Sequence, residues 1–331
     1  MKKINIYILS LLILLFGNSC DKVYTNPSSA EEESALTTVN GLIALCNGLQ
    51  YRYTIGRQSP GYTVIVASGL TTKELRVLNA GNTDELLLEQ GAANVIGSNG
   101  IVRNLWTQVN IIRSDADRIL ANSGNIGDAG TRSGVITFAS IFKALAYGTL
   151  AEFFEKAPLI NGEATDFSTR EDLLREAVKV LEAANTTLTA NAVSTAFTSR
   201  IAPGLDLANT VNALIARYSL MLGDNDKALA ASARVNLTVR SEFRFDDLNR
   251  NPIFDVAFSN INVVQPVSLN MGLPDALKPD DADKRIDFYF QSRTATNGVF
   301  RGKGFFTANG SPIPVYLPGE ILLIRAEAFA R

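Results

Sequence analysis

Apolar residues recur at helical spacing over much of the chain. Between residues 33 and 50, Leu36, Val39, Ile43, Leu45 and Leu49 repeat with a three-to-four residue step, which predicts a first helix. From 51 to 99 the period fades and Gly and Asn interrupt it. Only residues 62–67 form a β-like run there, so a long irregular stretch is expected. The helical step returns over 101–121 with Ile101, Leu105, Val109, Ile112, Ala116, Ile119 and Leu120, and Trp106 lies among them. A polar loop over 122–134 follows. Residues 135–160 are then apolar almost all round, the pattern of a helix buried on every side, with Pro158 as its expected stop. Ser168 and Glu171 suggest a capping box for the next helix, whose apolar face is Leu173, Leu174, Ala177, Val178, Leu181 and Ala184. Another helix carries Val211, Leu214, Ile215, Tyr218, Met221 and Leu222. Gly223-Asp224 ends it, and Lys227-Ala228-Leu229 starts a partner. Residues 240–315 are rich in Pro, Asn and Gly, with β-like runs at 261–269 and 286–290, and predict a large irregular insertion. A last helix opens at Pro318-Gly319-Glu320 and reaches the final residue without a Gly or Pro stop, so the sequence is expected to be incomplete there.

The predicted fold class is mainly α, with long irregular loops and a few short strands. The Gly-Asp-x-x-Lys-Ala spacing at 223–228 is the one tetratricopeptide repeats use between paired helices: glycine permits the turn, and alanine lets the second helix lie close. A tetratricopeptide-like helical scaffold is therefore expected.

Composition narrows the chemistry. The chain has 331 residues, 46% hydrophobic and 19% charged, enough for a large globular core. Lys and Arg number 31 against 33 Asp and Glu, net −2, so there is no basic excess to neutralise nucleic-acid phosphates. Histidine is absent, which excludes Ser-His-Asp and Cys-His nucleophile systems and His-ligated zinc. Two cysteines make neither a zinc cluster nor a disulfide framework. Cys46, inside an apolar run, is expected to be an inert core thiol.

The N-terminus reads as an export signal. Lys2 and Lys3 precede an apolar run from Ile4 to Phe16, too short to span a bilayer. Gly17-Asn18-Ser19 leads to Cys20, and this arrangement resembles a bacterial lipoprotein signal, although Gly17 stands where Leu is usual. The resemblance implies removal of residues 1–19 and lipid attachment at Cys20; a plain secretory signal is the alternative. Acyl chains hold a protein at a membrane through about 0.8 kcal/mol per buried CH₂. Residues 20–35, polar and containing Pro27 and Glu31-Glu32-Glu33, are expected to be a flexible tether. Residues 36–331 would then form a single helical domain, with its insertion at about 240–315.

Several segments resemble the SusD/RagB family of outer-membrane nutrient-binding lipoproteins. Leu105–Leu120 is similar to the family's Trp-x-x-x-Tyr-x-x-Ile-x-x-Ala-Asn-x-Ile helix, with Asn110 for the aromatic and Asp117 for the asparagine. Phe142–Ile160 resembles its Arg-Ala-x-x-Tyr-x-x-Leu segment before Pro-Leu, with Lys143 for the arginine. Residues 213–232 resemble its middle repeat, Asp283-Lys284-Arg285 stands where Asp-Pro-Arg is common, and the 318–331 helix resembles the terminal Ala-Glu-Ala helix. The resemblance implies a surface-exposed, lipid-anchored binding protein of the outer membrane, without catalysis or cofactor. It would pass an oligosaccharide, or a peptide, to a TonB-dependent transporter of the SusC type. A lipid-anchored tetratricopeptide scaffold that binds only proteins is the alternative.

A helical scaffold leaves ligand binding to its loops, where sugars call for aromatic faces and planar polar groups. Residues 51–99 offer Tyr51, Tyr53, Arg57, Gln58 and Tyr62; residues 286–306 offer Tyr289, Phe290, Arg293, Arg301, Phe305 and Phe306. Tyr53, Arg57, Tyr62, Tyr289 and Arg293 are the candidate ligand-binding residues. Trp106 is expected to be buried within its helix. Asp280, Asp281 and Asp283 near Arg285 are carboxylates that a glycosidase or an oxygen-ligated metal would need. A solvated turn or an Arg-paired cap is the simpler reading. No catalytic or metal-ligating residue is assigned.

Overall fold

The computed structural model describes residues 32–160, 162, 166–259 and 263–331. The predicted signal segment, Cys20 and the tether as far as residue 31 lie outside the described residues. The last residues of the expected tether segment belong to a helix, α1 (Glu32–Thr37). Thr38 then breaks the expected 33–50 helix in two, because its hydroxyl accepts from the Gly41 N–H at 3.1 Å and caps α2 (Val39–Thr54).

The stretch expected to be irregular holds two further helices. In α3 (Pro60–Thr71), Ser59 caps the first turn and Pro60 occupies its first position. This converts the β-like 62–67 run into helix; its branched side chains fill a core, and burial outweighs their strand preference. Strand β1 (Leu75–Val77) and α4 (Thr83–Gln90) follow.

Next come α5 (Gly100–Asn122), whose buried stripe is the one predicted, and α6 (Ala129–Phe153). α6 is long and apolar enough to cross a membrane, but neighbouring helices bury it on all sides. Pro158 is not its stop. The helix ends where Phe154 turns extended, and Pro158 lies in β2 (Lys156–Pro158), paired antiparallel with β3 (Phe167–Thr169). The predicted capping box is displaced by one residue: Ser168 pairs in β3, and Thr169 with Asp172 caps α7 (Arg170–Ala190) in both directions.

A single-turn α8 (Thr195–Thr198) precedes α9 (Leu207–Met221) and α10 (Asn225–Ala233). Gly223 sits at φ +76°, in the left-handed region the turn between them requires, and the Asp224 side chain caps α10. Strands β4 (Glu242–Phe243) and β5 (Val264–Pro266) flank a π-helical segment, Ile253–Phe258. The 286–290 run, expected to be β-like, lies mainly in α11 (Lys284–Tyr289), capped by Asp283. Strand β6 (Ile313–Pro314) pairs with β4, and α12 (Pro318–Ala330) closes the described chain.

Helices α2, α5, α6, α7, α9, α10 and α12 stack in neighbouring pairs around α6. Their main core includes Phe138, Phe142, Tyr147, Leu181, Leu214 and Ile321. The fold is mainly α, as expected, but the irregular regions have a core of their own. Tyr62, Val66, Leu70 and Leu88 of α3 and α4 pack on Ile253, Ala257 and Val264 of the insertion. Pairing of β1 with β5 (Arg76 opposite Gln265) ties these two distant segments together. Fully buried Gln265 braces the join: its amide donates to Ala257 O at 2.7 Å and accepts from Gly302 N at 3.1 Å.

Candidate functional site

A cleft of about 540 Å³ opens where the N-termini of α3, α4 and α5 converge. Its lining brings together residues far apart in sequence: Arg57, Gln58 and Tyr62, then Asp84 and Glu85, then Arg103 and Asn104. Each helix start is tied to its neighbour by a side chain. Asn99 Oδ1 accepts from the Ile101 and Val102 N–H groups at 3.0 and 3.2 Å, capping α5, while its amide donates to Asp84 O at 3.0 Å. Asn104 Nδ2 donates to Gln58 O at 2.8 Å, which fixes α5 against the turn before α3. Aligned helix starts carry partial positive charge, and Asp84 and Glu85 in the first turn of α4 complement it.

Arg57 and Glu85 dominate the electrostatics. Arg57 Nε donates to Glu85 Oε1 at 3.1 Å, Nη2 makes a closer contact with the same oxygen, and Nη2 also donates to Asn82 Oδ1 at 3.1 Å. The Glu85 side chain is almost wholly buried, whereas Arg57 is partly exposed. Burial works against the Arg57 charge, but the Glu85 carboxylate outweighs it and holds the guanidinium above its ordinary range. Burial also pushes the Tyr62 phenol up, so Tyr62 is a neutral group here. Arg103 makes no ion pair among the described residues and is exposed at the cleft wall. Two opposed carboxylates and two cations leave a nearly neutral site with planar amide and guanidinium groups, suited to hydrogen bonding with a hydroxyl-rich ligand.

Of the five predicted ligand-binding residues, the structure brings Arg57 and Tyr62 into this cleft and leaves the other three elsewhere. Tyr53 is a correction. It is 7% exposed and its ring lies between Phe142 and Phe243, at 5.8 and 5.7 Å between centroids, so its face is used by the core. Tyr289 is exposed in a separate aromatic group with Phe288 and Phe305. Arg293 is committed to its own turn, donating to Asp287 Oδ1 at 2.6 Å, Asp281 O at 2.7 Å and Asp283 O at 3.1 Å. Phe290 is buried. Trp106, expected to be buried, is only half-buried: it meets Phe154 edge-on and lies parallel to exposed Phe167 at 6.0 Å. The Asp280–Asp283 cluster is a capped turn. Arg285 grips Asp283 and draws its carboxyl down to about 2. Among the described residues, no group of three or more His, Cys, Asp or Glu is placed to hold a metal ion. Sequence reading missed Asp84, Glu85, Arg103 and Asn104, although Asn99-Gly100 before an apolar helix was a legible cap signal.

No protein-family model matches the sequence, and no curated protein is similar to it. Solved structures are similar. A SusD superfamily protein from Bacteroides fragilis superposes with a TM-score of 0.67 at 15% identity, covering 89% of this chain and 76% of its own. The chain has the SusD-like fold. A SusD-like carbohydrate-binding protein from the same species gives a TM-score of 0.67 at 13% identity, over 89% of this chain and 75% of its own. A chitin-binding protein gives 0.53 at 14% identity, over 86% and 70%. Within the SusD-like fold, the cleft lies at the junction of the α3–α4 core with the helical stack.

Proposed function

We propose that the chain is a non-catalytic glycan-binding protein of the SusD/RagB family. The observation that carries this reading is the SusD-like fold over 89% of the chain, shared with a protein described as carbohydrate-binding. The near-neutral cleft lined by Arg57, Gln58, Arg103 and Asn104 supports an uncharged oligosaccharide as its ligand. The signal segment and Cys20 support lipid anchoring at the outer membrane, exposed to the outside. Such a protein would hand its glycan to a TonB-dependent transporter of the SusC type.

A protein-binding scaffold is the second reading. Leu322, Leu323 and Phe329 on the exposed side of α12 favour it. Arrays of glycans and of peptides, probed with the purified chain, separate the two. Binding to neutral glycans supports the first reading; silence on glycans with capture of a peptide overturns it. Palmitate labelling in cells, expected for the wild type and absent from Cys20→Ser, tests the anchor.

A further inference from the structure

Burial divides α12 into two unlike faces. Ile321, Ile324 and Ala328 are buried against the stack. Arg325 Nη2, donating to Ser232 O at 2.5 Å, ties the helix to α10. The opposite face consists of Leu322, Leu323, Ala326, Phe329 and Ala330, all exposed. Leu322, Leu323 and Phe329 are 51, 70 and 79% exposed. At about 3.6 residues per turn these five form a stripe roughly 120° wide, centred on Ala326. A helix that borders water is ordinarily polar on its outer side, and this stripe has no polar residue.

The two edges of the stripe carry opposite charges. Arg325 borders it on the α10 side. Glu327 borders it on the other side, along an apolar groove of about 720 Å³. Leu220 and Met221 of α9 line that groove together with Leu317 and Leu323. Charge and shape are thus unequal across the helix. Leu322, Phe329 and Arg325 lie toward one edge; Leu323, Glu327 and the groove lie toward the other.

We propose that the outer face of α12 is a homodimer interface, in which two copies of the helix pack parallel about a two-fold axis. Ala326 and Ala330 let the two helices approach closely. Parallel two-fold packing turns each stripe's Leu322 and Phe329 edge toward the Leu323 edge of the second copy, where the groove receives it. The same operation sets Arg325 of each copy opposite Glu327 of the other, so the contact is self-complementary. Antiparallel packing would set Glu327 against Glu327 and Arg325 against Arg325, so charge selects the parallel pair. Glu327 already pairs with Arg331 in its own helix, so the edge charges fix orientation and the apolar stripe supplies the affinity. The helix has 13 residues and is about 20 Å long. Joined along it alone, two copies bury less than the roughly 1,200–2,000 Å² of a standard interface, so the dimer is weak and reversible. No α12 residue lines the cleft, which stays open in the pair whatever it binds.

The test is sedimentation equilibrium of the purified chain over a wide concentration range, with Phe329→Ala and Leu323→Glu beside the wild type. The wild type is expected to pass reversibly from monomer to dimer. Phe329→Ala should weaken association about tenfold, through lost apolar burial. Leu323→Glu, which brings a carboxylate into the apolar contact, should weaken it at least about a hundredfold. Both residues are exposed in the single chain, so the melting temperature of the dilute monomer should not move. Orientation is read by mild oxidation of Ala326→Cys and Leu322→Cys chains. Both should cross-link in the parallel pair. An antiparallel pair centred on Ala326 would hold the two 322 positions about 12 Å apart along the axis, too far for a disulfide. A wild type that stays monomeric at every concentration overturns the proposal. So does a dimer that persists in Leu323→Glu, because it is held elsewhere, or a monomer whose α12 stripe instead captures an added apolar peptide or vesicle. Cross-linking at 326 without 322 overturns the parallel pair.

Discussion

Cys46 shows how far a single residue's chemistry is set by burial. Its thiol is fully enclosed in the main core, and desolvation pushes its pKa well above the usual thiol range. A Cys20→Ser chain should therefore resist thiol reagents when native and react at the rate of global unfolding in urea, as measured by mass spectrometry. Arg57 and Glu85 make a second residue-scale case. Truncating Arg57 to Met leaves a buried carboxylate without its cation, so a stability loss of about 1–3 kcal/mol is expected in urea titrations, given that Arg57 itself is partly exposed. Adding Glu85→Gln to the same chain should restore part of it. The Asp283 turn carries a pH prediction. Its folded pKa, about 2, is depressed below the ordinary value of 3.8 by the Arg285 side chain and backbone N–H. The turn is thus favoured above that ordinary value and loosens as pH falls through about 2. Protection of the Arg285 amide, held by Asp283 Oδ1 at 2.8 Å, measured as its exchange rate relative to an unstructured peptide at the same pH, should fall across that window and stay constant from pH 4 upward. The site itself was only half legible at this scale. Arg57 and Tyr62 were visible as polar-aromatic loop residues, but Glu85, which pairs with Arg57, and Arg103, which lines the same cleft from a distant part of the sequence, come from other helices, and one sequence holds no local signal for such convergence.

At the scale of elements, legibility followed the source of the stabilisation. α5, α6, α7 and α9 were readable because each buries a stripe or a whole circumference against the stack, and that burial repeats every 3.6 residues. α3 and α11 were not, because both are short and are held by a cap and by tertiary packing. The sequence around Tyr62 is β-branched and the one around Ile286 is apolar, which by propensity alone favours strand. Ser59-Pro60 and Asp283 decide otherwise. Asn99 does similar service for α5 while also holding α4. Asn99→Ala should cost about 1–2 kcal/mol and lower glycan affinity in the same variant, since the cleft wall is built on that cap. Gly148 sets the spacing of α6 and α9: a methyl there would overlap the Tyr218 hydroxyl and ring. Gly148→Ala should destabilise by about 1–3 kcal/mol in thermal melts, without changing any residue that lines the cleft.

At the scale of the whole molecule, a rigid stack of paired helices carries a second, smaller core, and the cleft lies where the two meet. α12 is fastened to that stack by polar bonds as well as packing: Arg217 donates to both Glu320 oxygens at 2.6 and 2.9 Å and to Val315 O at 2.8 Å. The division explains how a binding surface can be preorganised on segments that look irregular in sequence. Their backbone is anchored by β1–β5 pairing and by Gln265, so the cleft needs little ordering when a ligand enters. The most direct test of the account is calorimetric titration of one neutral oligosaccharide, chosen as the strongest glycan-array response, into the wild type, Arg103→Ala and Lys179→Ala. Lys179 lies on the exposed face of α7, paired with Glu176 and outside the cleft. The account predicts saturable binding to the wild type and to Lys179→Ala with equal affinity, and at least several-fold weaker binding to Arg103→Ala. Equal affinity in all three chains would contradict it.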